Sequence, residues 1–198
     1  MQQWDELAIT DDKLSRLWDE EGRSFPYLKD LIEIACVNRE DSDIVVYTNA
    51  DTCMNSKGSL MIAQSLQSRY ACYAFRRDFK HPFEKPIADG EIHKGFQYCG
   101  KDLFAFRVGW WRIIGSTFPD MLIGVEAWDA VMVEMVERTN PGGGCAIVDL
   151  IYHQRHASFW EAARNRYRLE AQKYNLRLAY RWMRQNGINP ASHGIMKV

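Results

Sequence analysis

With 198 residues, 46% of them hydrophobic and 13% aromatic, the chain has the length and apolar content of one folded domain and not those of a disordered segment. A formal net charge of −1 excludes a global field that would draw it to nucleic acid or an anionic membrane. The five cysteines (Cys36, Cys53, Cys72, Cys99 and Cys145) are odd in number and none has CxxC spacing, which argues against a disulfide framework or a cysteine zinc site and for a reducing, cytoplasmic setting.

Residues 1–24 are polar with a few apolar anchors, and residues 11–21 fit a short helix with Leu14, Leu17 and Trp18 on one face. The acidic start is no signal peptide. Ser24-Phe25-Pro26 opens a second helix, with proline in its favoured first turn and Leu28, Leu31, Ile32 and Ala35 on its buried side. The run Ile44-Val45-Val46-Tyr47 is β-branched and continuous rather than alternating. That pattern fits a strand buried on both faces in a parallel sheet. A helix follows over residues 59–67, a strand over 70–75 and a long loop over 78–100. Residues 102–106 read as a third strand, 109–114 as a short helix and 126–138 as a longer one. Asn140-Pro141-Gly142-Gly143-Gly144 breaks the chain before a fourth strand over 145–152. A long helix spans 158–185. No apolar run approaches the ~20 residues of a membrane span, and residues 1–198 read as one domain.

Three places on this scaffold carry groups suited to chemistry. Asn49 and Asp51 follow the first buried strand, and in open α/β sheets ligands sit at the carboxyl ends of strands. A carboxylate there, with an amide two residues earlier, suits a hard divalent cation; the plainer alternative is a turn whose Asn or Asp caps the next helix. Glu126 and Asp129, three apart at a helix start, share a face, and the same acids also complement the helix dipole. His153 and His156 lie just past a buried strand and suit a metal, although a single histidine there is more often a satisfied polar group.

In order along the chain these features resemble a GT-A type glycosyltransferase, the nucleotide-diphosphosugar transferase fold, in a short or N-terminally reduced form. Asn49-Ala50-Asp51 looks like its DxD motif with asparagine in the first position, and Glu126-Ala127-Trp128-Asp129 looks like its later acidic motif. His153 or His156 looks like its C-terminal ligand, and residues 100–106 resemble the strand before the acceptor pocket, which places Asp102 at the substrate. The resemblance implies a Rossmann-like α/β fold with a mixed, mainly parallel sheet flanked by helices and a long C-terminal helix. It implies transfer of a sugar from a nucleotide-diphosphate donor to a hydroxyl acceptor, which is a glycan, a small molecule or modified DNA. Asp51, His153 and His156 would hold Mn2+ or Mg2+, the mixed oxygen and imidazole set favouring Mn2+. Arg76 and Arg77 would neutralise phosphate oxygens, and Asn49, Trp110 and Trp128 would contact substrate. Asp129 or Glu126 would act as base in an inverting reaction, or would only orient the acceptor in a retaining one.

Two rival readings belong to other classes. One is a noncatalytic glycan- or nucleotide-binding module of the same fold. The other uses the C-terminal helix, with Arg164, Arg166, Arg168, Lys173, Arg177, Arg181 and Arg184, as a basic face toward DNA. An amphipathic helix packed on its domain accounts for the same residues. That no GxGxxG follows a strand argues against a dehydrogenase.

Overall fold

A computed structural model of the chain describes residues 16–18, 24–49, 51–80, 86–143, 146–154 and 166–196. The strands are β1 (Arg16–Trp18), β2 (Ser24–Pro26), β3 (Ile44–Thr48), β4 (Thr52–Met54), β5 (Ala71–Phe79), β6 (Phe96–Arg107) and β7 (Ala146–Gln154). The helices are α1 (Leu28–Cys36), α2 (Gly58–Ser65), α3 (Val108–Ile114), α4 (Trp128–Thr139) and α5 (Arg166–Gln185). β1 and β2 pair with each other, and the other five strands form one sheet in the order β3-β6-β5-β7-β4. The β1–β2 pair replaces the expected helix at residues 16–18 and the expected helix start at 24–26.

The sheet is mixed, as expected, but it is not mainly parallel. β3 and β5 both run antiparallel to the β6 between them, β7 runs parallel to β5, and β4 runs antiparallel to β7. The run from Ile44 to Tyr47, expected to be buried on both faces of a parallel sheet, forms β3, a half-buried edge strand antiparallel to β6; a continuous apolar run does not report strand direction. One face packs Cys72, Ala74, Leu103, Ala105, Leu150 and Ile151 against Ile62 and Leu66 at α2. The other packs Tyr73, Phe104 and Phe106 with Leu28 and Ile32 of α1, Trp110 and Trp111 of α3, Val131 and Val136 of α4 and Ala179 and Met183 of α5. Burying one such large side chain stabilises the fold by about 1.5–3 kcal/mol, so an antiparallel strand between two helix layers keeps the same apolar signature.

β3, β5 and β7 share a direction, so their carboxyl ends lie along one edge of the sheet. Two features fix the two ends of β5. Register shifts fall between Ala74 and Arg77 of β5 against β6 and between Ala74 and Arg76 against β7, which bends the strand where polar side chains take over. At the opposite edge Asn140, which caps the end of α4, accepts from the Tyr70 and Ala71 amides at 2.8 and 3.1 Å and donates to the Ala71 carbonyl at 2.7 Å, fixing where β5 starts. The expected loop over 78–100 is shorter than its sequence suggests. β5 runs on to Phe79, β6 begins at Phe96, and a 3-10 turn, Asp89–Lys94, lies between them. Ser56 binds Asp89 through its amide at 2.9 Å and its hydroxyl at 2.5 Å, tying that turn to the segment after β4.

Candidate functional site

The carboxyl edge gathers six polar residues from four segments into one chain of contacts. Asp51 lies in the turn between β3 and β4, and its Oδ2 is 3.3 Å from Nε2 of His153 on β7. The other ring nitrogen, Nδ1, donates to Asp78 Oδ1 on β5 at 3.2 Å. Asp78 Oδ1 in turn meets Arg76 Nε at 2.7 Å, and Arg76 Nη1 donates to Asp102 Oδ2 on β6 at 2.6 Å. Asn49 closes the chain, its Nδ2 donating to Asp102 Oδ1 at 3.0 Å. The ladder register explains the convergence: Asp78 is directly paired with His153 on β7, and His153 with Thr52 on β4. Residues paired across strands point to the same face.

Burial sorts these residues. His153, Asp78 and Asp102 are buried, whereas the Asp51 side chain is 48% exposed and stands at the mouth. Burial pushes the Asp102 carboxyl up, the Arg76 guanidinium pulls it back, and Asp129 and Asp51 push it up further. Asp129, in the first turn of α4, is likewise raised by burial and lowered by Lys101. Asp51, Asp78, Asp102 and Asp129 outnumber Arg76 and Lys101 here, so the edge carries a negative excess. Titratable groups raised by burial in this way are concentrated at functional sites, though structural ion networks show them too. Trp128 is buried beneath the edge, edge-to-face with Tyr47 at 5.3 Å and with Phe104 at 5.7 Å. Burial of Tyr47 raises its phenol.

The loop carrying the acidic motif is braced from outside. Asn175 of α5 is wholly buried; its Oδ1 accepts from the Leu122 amide at 2.8 Å, and its Nδ2 donates to the Leu122 and Glu126 carbonyls at 2.8 and 3.1 Å. Two residues with positive φ, Gly124 at 80° and Ala127 at 82°, let the loop turn into α4.

The structure therefore brings together Asn49, Asp51, Arg76, Asp102, Asp129, Trp128 and His153. It keeps others apart. Arg77 donates from Nε to Asp149 Oδ1 at 2.7 Å instead of joining the chain. Glu126 is exposed and accepts from Gln172 Nε2 at 2.7 Å, facing α5. Trp110 sits at the far end of the sheet, packed on Phe106 and donating to Thr139 Oγ1 at 2.8 Å, so it has no part in the edge. His156 lies outside the described residues. Asp78 and Lys101 belong to the cluster and were not singled out by sequence; the i, i+2 spacing of Arg76 and Asp78, a polar continuation of β5, was the available signal.

Asp51 Oδ2 and His153 Nε2 are the two groups of this edge that could serve as cation ligands, and Asp78, 3.2 Å from the second ring nitrogen, fixes the imidazole orientation. Among the described residues no group of three or more His, Cys, Asp or Glu side chains is arranged to hold a metal ion. A groove of about 360 Å3, lined by Lys29, Glu33, Cys36, Trp111, Arg112 and Ser116, lies between α1 and α3 at the other end of the sheet and takes no part in this cluster. On α5, Leu176, Leu178, Tyr180 and Trp182 pack on the core while Arg177, Arg181 and Arg184 stay exposed, an amphipathic arrangement. Among the described residues no helix is long and apolar enough to cross a membrane. No protein-family model, no curated protein and no solved structure matches the chain.

Proposed function

We propose that the carboxyl edge binds the diphosphate of a nucleotide sugar through Mn2+ or Mg2+, and that the protein transfers the sugar to a hydroxyl acceptor, in the manner of GT-A type enzymes. The observation that carries the reading is the meeting of Asp51 and His153, from two distant segments, at 3.3 Å. Two neighbouring ligands of a six-coordinate ion with bonds of about 2.1 Å lie about 3 Å apart, so the pair fits one ion. Two protein ligands suffice where substrate phosphates and water complete the shell, as is usual for Mg2+. A cation bound there supplies charge to offset the departing diphosphate.

The chain's own residues then have defined tasks. Asp78 holds the His153 ring in place through Nδ1. Arg76 is taken up by Asp78 and Asp102, so it organises the edge instead of gripping phosphate. Asp129 is the better base of the two acids: burial raises its proton affinity toward that needed to accept a hydroxyl proton, whereas Glu126 is exposed and turned to α5. Trp128 forms a rigid floor beside it.

Thermal unfolding of the full chain with nucleoside diphosphates, with and without Mn2+, tests the reading. Ligand at about 100 times Kd stabilises by ~2.7 kcal/mol, which in a chain of this size raises Tm by roughly 5–10 °C. The shift is expected only with metal, and it is expected to vanish in Asp51→Ala and His153→Ala. A shift that survives in Asp51→Ala, or no shift with any diphosphate, overturns the proposal.

A further inference from the structure

The start of β6 carries two aromatic rings that the core does not use. Phe96 is 71% exposed and Tyr98 is 41% exposed. They are two residues apart on one strand and so project from the same face, roughly 7 Å from each other. Phe96 is paired directly with Asp78, so that face is the one bearing Asp78 and His153. Tyr98 is joined to the charged chain, with the Arg76 guanidinium 4.3 Å from its ring centroid. Gly100 makes room for this pose: a Cβ there would come within 2.5 Å of the Tyr98 ring. Two large apolar rings held out in water beside buried charges are costly to the free protein and suit a flat apolar ligand.

We propose that Phe96 and Tyr98 are the stacking platform for the base of the nucleotide, an assignment that rests on the diphosphate reading of Asp51 and His153. Spacing supports it. Asp78 lies between Phe96 on one side and His153 on the other, so platform and histidine are two strand spacings apart, about 10 Å. A ribose bridges that kind of gap between a base and its phosphates. The chemistry of the ring favours a base over a sugar. The Arg76 cation on one face of Tyr98 draws electron density from the other, which weakens its attraction for the polarised C–H groups of a sugar and favours an electron-rich flat ring. Stacking of this kind tolerates any base, since every base presents a π-face.

The test is calorimetric titration of the full chain with UDP, GDP and ADP and, separately, with inorganic pyrophosphate, all in Mn2+. Phe96→Ala leaves the Arg76 network untouched, and Tyr98→Trp keeps a ring in place. Each ring removed is expected to weaken nucleotide binding at least about fivefold, while pyrophosphate binding stays within twofold, roughly the scatter of such measurements. Tyr98→Trp is expected to keep nucleotide affinity. If the wild type binds nucleotide and pyrophosphate, and Phe96→Ala and Tyr98→Ala bind nucleotide as tightly as it does, the platform is refuted and the diphosphate site stands. If the rings' loss weakens pyrophosphate as much as nucleotide, the platform is also refuted. If the wild type binds neither probe, both assignments fall together.

Discussion

Replacing Arg76 by methionine keeps the stem of the side chain and removes its charge, leaving Asp78 and Asp102 facing each other across the space the guanidinium filled. Breaking a buried pair by removing one partner costs ~3–5 kcal/mol. Here two carboxylates lose their cation, which pushes the figure up. Each also keeps one other donor, His153 Nδ1 for Asp78 and Asn49 Nδ2 for Asp102, which pulls it down. With side chains 9–14% exposed, water screens the remainder only slightly. The net expectation is about 4 kcal/mol at pH 7.5, or a fall in Tm of roughly 8–16 °C for a chain of this size. Urea unfolding at pH 7.5 and pH 5 measures it. The pH dependence has a definite sign. Arg76 lowers the Asp102 carboxyl, so its loss raises that group further above its unfolded value. A carboxylate raised in the folded state is penalised above its folded pKa, and the penalty fades as pH falls toward its unfolded pKa. The deficit of Arg76→Met is therefore smaller at pH 5 than at pH 7.5. A loss below about 1 kcal/mol, the range of an exposed ion pair, or a deficit that grows on acidification refutes the picture of one buried, mutually dependent network.

Asp129→Asn removes a charge whose burial is unfavourable, so it is expected to abolish sugar transfer and yet raise stability by roughly 0.5–2 kcal/mol at neutral pH, the gain shrinking as pH falls through the raised carboxyl range; unfolding curves at pH 7.5 and 5 decide it. Asn140→Ala strips three hydrogen bonds from the junction of α4 and β5 and leaves buried amides unpaired, a loss of about 2–3 kcal/mol by urea titration. Ala127→Gly relieves a left-handed backbone at φ 82° and is expected to stabilise by about 1 kcal/mol, read as a higher midpoint at unchanged slope.

Much of this architecture was legible in the residues. The apolar run from Ile44 marked β3, the glycine-rich break after Asn140 marked the entry to β7, and the polar groups after each run marked one sheet edge. Asp51 and His153 could be paired because both lie at the carboxyl ends of strands that run in the same direction, Asp51 just past β3 and His153 in the last residues of β7. What sequence did not give was strand direction, since β6 is sandwiched by helices exactly as a parallel strand would be. It also did not give Asp78, because a strand whose inward face turns charged loses the alternation by which strands are read. Trp110 and Trp128 illustrate the same limit: both are buried tryptophans near helix starts, and only the order of strands puts one under the edge and the other at the far end.

The brace supplied by Asn175 has a consequence for how the molecule comes into being on the ribosome. Every side chain of the strand-borne network has been synthesised by residue 153, so that half of the edge is free to assemble early. The turn bearing Asp129 must wait for the last long helix, whose amide reaches back to clasp Leu122 and Glu126. The turn bearing Asp129 is thus set last, after the strands that carry the charged chain of the edge have all been made.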